Sequence, residues 1–244
     1  MQPFMSRSRL YVLLAGLLSL PTLAVPPQPF EASYDARYDN MRASATRSLQ
    51  YDANTATWTL LAEAKLTLLG ATLTSISERS NFRWQDDQPQ PLLHEFRQRG
   101  AGARQRSVRF DHEAGQAEYR VGDRQGTLPL DGPVFDELSG YLVLRERLAA
   151  GETDISLTVA DRDKLETQRY QVLGEEELQT PLGTFATLRV ARIRDAGSER
   201  RTELWLAPSA DYLLIKLLQT EPNGRVIQLD LRSATLAGQV PGTP

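Results

Sequence analysis

From Phe30 to Tyr38 apolar and polar positions alternate without a break, with Phe30, Ala32, Tyr34, Ala36 and Tyr38 on one side and Glu31, Ser33, Asp35 and Arg37 on the other. That period of two is the signature of a strand with one buried face. It returns at Trp58, Leu60, Ala62, Ala64, Leu66 and Leu68. Weaker alternation predicts strands over residues 43–51, 73–84, 92–99, 104–110 and 117–121, and again over 155–160, 165–173, 184–194, 200–207, 212–220 and 226–236. Turn chemistry separates them: Gly100-Ala101-Gly102, Gly122-Asp123-Arg124-Gln125-Gly126, Thr180-Pro181-Leu182-Gly183, Asp195-Ala196-Gly197-Ser198 and Pro222-Asn223-Gly224. The Asn-Gly pair favours a type I′ hairpin, and such local connections imply an antiparallel meander.

One segment breaks the rhythm. Over residues 133–150 the apolar positions Val134, Leu138, Tyr141, Leu142 and Leu148 fall at helical spacing. Asp131 is placed to cap this helix, Pro133 to open its first turn and Gly151 to stop it. An open sheet of about ten strands would be roughly 48 Å wide at about 4.8 Å per strand, whereas a helix of about 18 residues is roughly 27 Å long and about 10 Å across. A single helix cannot cover that face. The expected fold is therefore mainly β, one curled antiparallel sheet forming a half-barrel or barrel, with one α-helix packed against it. Leu60 with Leu61, Leu68 with Leu69, and Leu213 to Leu218 are apolar on both faces. They fit either ordinary two-layer packing or the wall of a concave apolar pocket.

Arg7 and Arg9, the apolar run from Leu10 to Leu20 and the small-residue site Thr22-Leu23-Ala24 have the order of a secretory leader. The apolar run is too short to span a bilayer as a helix. The expected organisation is a signal peptide over residues 1–24, one β domain over 25–237 and a flexible tail over 238–244, with a periplasmic location after cleavage near Ala24 and no permanent membrane anchor. The chain contains no cysteine. Disulfides, thiolate metal sites, cysteine nucleophiles and a lipid-modified cysteine are all excluded. With a formal net charge of −3, generic nucleic-acid binding is disfavoured. Lysine occurs only at positions 65, 164 and 216, and arginine supplies the other cations, either for bidentate anion contacts or from codon bias.

Catalytic signatures are missing. His94-Glu95 and His112-Glu113 begin like a zinc HExxH motif, but Gln98 and Gln116 stand where the second histidine belongs, so a solvated role is expected for both histidines and no metal or other cofactor is expected. No G-x-S-x-G elbow and no phosphate-cradling loop occur. Asp86-Asp87 and Glu175-Glu176-Glu177 read as solvated charge runs, because spacing alone cannot place two carboxylates across a cleft. The most conspicuous charged feature is the hairpin from Phe96 to Phe110, with Arg97, Arg99, Arg104, Arg106 and Arg109. Arg104 and Arg106 share a face with Val108 and Phe110, which makes one surface basic at one end and apolar at the other. Pairing with carboxylates such as Glu95 and Asp111, or edge protection, explains the same residues without a ligand.

Four motifs carry a family resemblance. Phe30-Glu31-Ala32-Ser33-Tyr34-Asp35-Ala36, Asp136-Glu137-Leu138-Ser139-Gly140-Tyr141 with Leu144-Arg145, Thr180-Pro181-Leu182-Gly183-Thr184-Phe185, and Leu204-Trp205-Leu206-Ala207-Pro208 with Asp211-Tyr212-Leu213 occur in that order. They resemble the proteobacterial periplasmic family catalogued as domain of unknown function 3108, which implies a periplasmic protein and brings no catalytic residues or ligand. The last third also looks like the lipoprotein-carrier and lipid-binding β half-barrels of the bacterial envelope, which usually have several helices rather than one.

The expected function is a non-catalytic carrier or binding protein for an apolar or amphiphilic envelope molecule, a lipid or glycolipid. Arg104 and Arg106 are the candidate contacts for an anionic group, and Val108, Phe110, Leu142 and Trp205 the candidate wall. The alternatives are an envelope protein–protein interaction module with a filled core and, third, a polysaccharide-active enzyme.

Overall fold

The computed structural model describes residues 26–242, so the expected leader over residues 1–24 lies outside the described residues. Eight strands come first: β1 (Phe30–Tyr38), β2 (Met41–Asp52), β3 (Thr57–Leu68), β4 (Ala71–Gln85), β5 (Gln88–Gly100), β6 (Arg104–Asp111), β7 (Gln116–Val121) and β8 (Arg124–Pro129). The helix α1 (Glu137–Ala149) follows. Six strands complete the chain: β9 (Asp154–Asp161), β10 (Lys164–Thr180), β11 (Gly183–Ile193), β12 (Arg201–Ala207), β13 (Leu213–Thr220) and β14 (Val226–Leu236). All belong to one 14-stranded antiparallel sheet in which each strand pairs with its neighbours in sequence, apart from β8 and β9. The two meanders are joined where β1 pairs β14, with Tyr34 opposite Leu231 and Phe30 opposite Leu236.

The sheet curls into a nearly closed, barrel-like layer, as the shortage of helical cover predicts. Its free ends, β8 and β9, overlap instead of pairing. Val108, Phe110, Ala117 and Leu128, from the inner face of β6–β8, share a small core with Val134 and Ala160, and Leu165 packs against it. Ala160 stands on the opposite face of β9 from buried Leu157 and Val159, so β9 is tucked beneath the other end.

The helix starts later than its spacing predicts. Asp136 caps it, its Oδ1 accepting from the backbone N–H groups of Leu138 and Ser139, each at 2.9 Å, while the Ser139 hydroxyl accepts from the Asp136 N–H at 2.9 Å. Residues 133–135 cannot be the first turn, because the N–H of Phe135 is donated to Thr158 and its carbonyl accepts from Ala160, which makes this stretch a one-residue parallel bridge on β9. Nine helical residues, from Leu138 to Arg145 and Leu148, are buried. A helix buried on almost every side lies inside the curl, where it touches β3, β4, β5 and β9.

Other departures have local causes. The expected turn over 122–126 is shorter, because β8 already begins at Arg124; in it Gly126 lies under the Tyr119 ring, where a Cβ would sit 2.6 Å from the Tyr119 hydroxyl oxygen. β10 runs on past residue 173 through a bulge between Val172 and Gly174, so Glu175, Glu176 and Glu177 are strand residues, all exposed. The Pro222-Asn223-Gly224 turn is not type I′. Only Gly224 has positive φ, and the Gly224 N–H is donated to Glu221 while Glu221 N–H is donated to Arg225, a type I turn closed by a left-handed glycine. The last described residues fold back, with Leu236 N–H donated to Gln239 and Gly242 against the Phe185 ring.

Candidate functional site

Register fixes which side chains face the inside. Phe30, Leu49, Leu60, Ser80 and His94 form one inward row across β1 to β5, and successive rows lie two residues further along each strand. The row beside the helix is dry: Phe30, Leu49, Leu60, Ser80 and His94 are all buried. Trp58 and Phe82 stack below it with ring centroids 6.5 Å apart. The helix closes this end. Ser80 Oγ donates to Asp136 at 2.6 Å, Tyr141 Oη to the Tyr212 carbonyl at 3.1 Å and Tyr212 Oη to the Leu148 carbonyl at 3.2 Å.

Away from the helix the next inward row carries Arg47, Glu78 and Arg106 among its apolar residues, and the apolar side chains beyond it lose part of their cover. Ala45 is buried, whereas Ala43, Ala62, Ala64, Leu66 and Ile76 are half-buried. The opposite wall shows the same change, from buried Leu231 to half-buried Leu229, Leu217 and Ile227. Four alanines on facing inward rows of β2 and β3, where leucines would fill the space, leave the bore wide. Thr74, Gln98 and Arg104 form its rim on β4 to β6. One end of the lumen is thus plugged, and the other end, the cup, is lined by these half-buried apolar residues with Thr74, Gln98 and Arg104 at its edge.

Between cup and plug lies a charged cluster at the seam. His94 Nε2 is 2.9 Å from Glu78 Oε1, and Arg106 reaches Glu78 at 3.4 Å and Asp161 at 3.6 Å. The Arg106 guanidinium also sits 4.4 Å from the Phe96 ring centroid. Burial alone would raise the pKa of Glu78, but the His94 hydrogen bond and the His94 and Arg106 charges hold it below the ordinary carboxylate range. Burial alone would lower His94; the Glu78 hydrogen bond and the charges of Asp136 and Glu78 raise it instead. Nearby Glu137 is pushed up by burial and by the charges of Glu78 and Asp161. This cluster ties β4, β5 and β6 to β9 across the seam that backbone pairing leaves open.

The six sequence-predicted site residues do not converge. Arg104 is exposed at the rim; Arg106 faces inward as expected, but its charge is met by Glu78 and Asp161 rather than by Glu95 or Asp111. Val108 and Phe110 are consumed by the overlap of the sheet ends. Leu142 is packed in the main core at 1% exposure. Trp205 points to the other side of the sheet, where its Nε1 donates to Glu176 at 2.8 Å beneath Arg189 and Lys216. His94, expected to be solvated, is buried because it shares the inward parity of Phe96; His112 is exposed, 2.6 Å from the Pro91 carbonyl. The alternation of Ala43, Ala45, Ala62 and Ala64 was the signal for the cup, and small side chains on an inward face are a quieter signal than charged ones. Among the described residues no group of three or more His, Cys, Asp or Glu side chains could hold a metal ion.

A family model described as "Protein of unknown function (DUF3108)" matches residues 33–232. No curated protein matches the sequence. Among solved structures, the fold is similar to the crystal structure of a beta-barrel-like protein of domain of unknown function DUF1849 from Brucella abortus, at 11% identity and a TM-score of 0.56, over 87% of this chain and 99% of that one. A second structure, titled a "putative lipoprotein" from Parabacteroides distasonis, is 9% identical over 87% of this chain and 95% of that one, with a TM-score of 0.29.

Proposed function

We propose, on the premise that this chain belongs to the DUF3108 family, that it is a non-catalytic periplasmic binding protein that shelters the apolar part of an envelope lipid or glycolipid in the open half of its lumen. One observation carries the reading: inward-facing apolar residues of β2, β3, β4, β13 and β14 pass from buried beside the helix to half-buried at the other end, while those of β1 stay buried from Phe30 to Ala36. A wall of that kind faces water unless something apolar occupies it, and each buried methylene of an acyl chain would contribute about 0.8 kcal/mol. In this reading Arg104, exposed at the rim, would meet the polar head.

Native mass spectrometry of protein purified from an envelope fraction tests this directly. A retained small lipophile is expected, displaced by a dansylated fatty acid whose fluorescence rises on entering the cup. Ala64→Trp, which fills the cup, should abolish the signal, and Ala43→Leu should weaken it while leaving thermal unfolding unchanged. If the purified protein carries no lipophile and the probe binds wild type and Ala64→Trp alike, the lumen is not a ligand site. The filled helical end then favours an interaction module, recognised by a protein that co-purifies.

A further inference from the structure

The β3–β4 hairpin breaks two local rules at once. Leu68 pairs with Ala71, leaving Leu69 and Gly70 as a two-residue loop with φ of +50° and +81°. Both values are left-handed, as type I′ geometry requires, and that geometry favours Asn, Asp or Gly at the first position. Leucine stands there instead, 99% exposed, with Leu68 at 49% and Leu73 at 38% beside it. An apolar side chain held in unfavourable backbone geometry and presented wholly to water has no role in the fold.

Next to this tip, on the outer face of β3 to β7, lies a groove of about 720 Å³. Its floor includes the small residues Ser75, Ser77 and Ser107, and its walls carry Lys65, Arg79, Arg97, Arg99 and Arg120. Register sets Lys65, Ser75 and Arg99 side by side on three adjacent strands, in the row nearest the tip. Glu63 and Glu95 also line the groove, yet among the described residues none of those five cations lies within ion-pair distance of a carboxylate. Cations elsewhere divide: Arg106, Arg124, Arg145, Arg169, Arg189 and Arg192 each have an acidic partner, whereas among the described residues Arg37, Arg42, Arg83 and Arg109 do not, so it is the gathering of five in one groove that sets this surface apart.

We propose that the leucine tip and the neighbouring cationic groove form a peripheral docking surface for an anionic lipid bilayer, with Leu68, Leu69 and Leu73 entering the headgroup layer and Lys65, Arg97 and Arg99 meeting its phosphates. Apolar insertion and attraction to anionic headgroups reinforce each other, because each alone gives only weak, reversible binding. No helix among the described residues is long and apolar enough to cross a membrane, and this attachment needs none. The tip lies at the end of the barrel where the cup opens: Leu66 and Thr74 of the inner wall are paired two to three residues from the turn, and Ala101 N–H is donated to the Leu73 carbonyl, holding the β5–β6 turn against it. A docked molecule would therefore present its mouth to the lipid. The docking itself holds whether or not the cup carries a ligand.

Co-sedimentation of the mature protein with vesicles tests the proposal. Binding to phosphatidylcholine containing phosphatidylglycerol should be at least about tenfold tighter than to phosphatidylcholine alone and should weaken with salt. Leu69→Asn, which suits the turn, should lower it about tenfold with unchanged circular dichroism, and Arg97→Gln with Arg99→Gln should remove most of the salt dependence. Equal binding to neutral and anionic vesicles overturns the proposal. So does binding of soluble heparin that matches vesicle binding and is indifferent to Leu69→Asn, which would mark a soluble polyanion site. Dansyl fatty acid uptake reports on the cup separately, so the two ideas fail independently.

Discussion

Strand β4 begins and ends in the same backbone geometry with opposite chemistry. At one end Leu69 and Gly70 make a left-handed two-residue turn; at the other Asp86 and Asp87 make another, with φ of 51° and 60°. The Asp-Asp turn follows the usual preference for short polar side chains and lies at the end where Trp58, Phe82 and the helix fill the interior. The leucine turn lies where the inner wall is uncovered. A single strand thus spans a half packed for stability and a half that is less fully covered, and of its two turns only the one in the second half departs from the residue preference of its geometry.

The contrast makes a sharp mutational prediction. Leu142→Ala, at the plugged end, should lower the unfolding free energy by about 2–5 kcal/mol in urea titration, as cavity creation in a packed core does. Leu66→Ala in the cup should cost below about 1 kcal/mol, since part of its surface is already in water. Equal costs would mean that the two halves are equally packed. Asp136→Ala comes next. It removes the helix cap and strands the Ser80 hydroxyl, which is fully buried, so a loss of about 1–3 kcal/mol is expected.

A pH titration tests the cluster between the halves. His94 is raised above its ordinary 6.5 by its partners, so its contribution is fully present below about pH 6.5 and is lost as pH rises through the folded-state value. Glu78 is depressed below 4.5, so its contribution is present above about pH 4.5 and lost as pH falls through its folded-state value. Glu137, raised by burial, loses stability as pH rises above 4.5 and so slopes in the same direction as His94. Chemical denaturation of His94→Gln should therefore be flatter than wild type just above pH 6.5. An unchanged slope there would remove His94 from the seam. The smallest effect is expected at the turn: Leu69→Asn should raise stability by up to about 1 kcal/mol by relieving left-handed strain, the opposite of its effect on vesicle binding.

Much of the architecture was legible in the sequence because strands are written in parity. The alternation from Phe30 to Tyr38 and the run ending at Leu236 gave strand bounds that match β1 and β14. A helix too small to cover the sheet implied the curl. Tertiary contacts hid the rest. Nothing near Pro133 announces that Phe135 will bridge β9, so the cap fell on Asp131 rather than Asp136. The hairpin arginines drew attention as a block, yet register divides them: Arg104 and Arg106 face inward with Phe96, while Arg97 and Arg99 line the outer groove. Trp205 was a candidate wall residue, and the alternation of β12 puts it on the outer side, opposite Arg189 and Lys216, between inward Leu204 and Leu206.

The overlapped ends have a mechanical consequence. A hydrogen-bonded barrel has its circumference dictated by strand number and stagger. Here β8 and β9 share no ladder, and the join consists of a few apolar contacts, the Arg106–Asp161 and Arg124–Asp163 pairs and one bridge at Phe135. Such a scroll has its weakest line there: a change of girth would cost those contacts and the two backbone hydrogen bonds at Phe135, and would leave every ladder between paired strands intact.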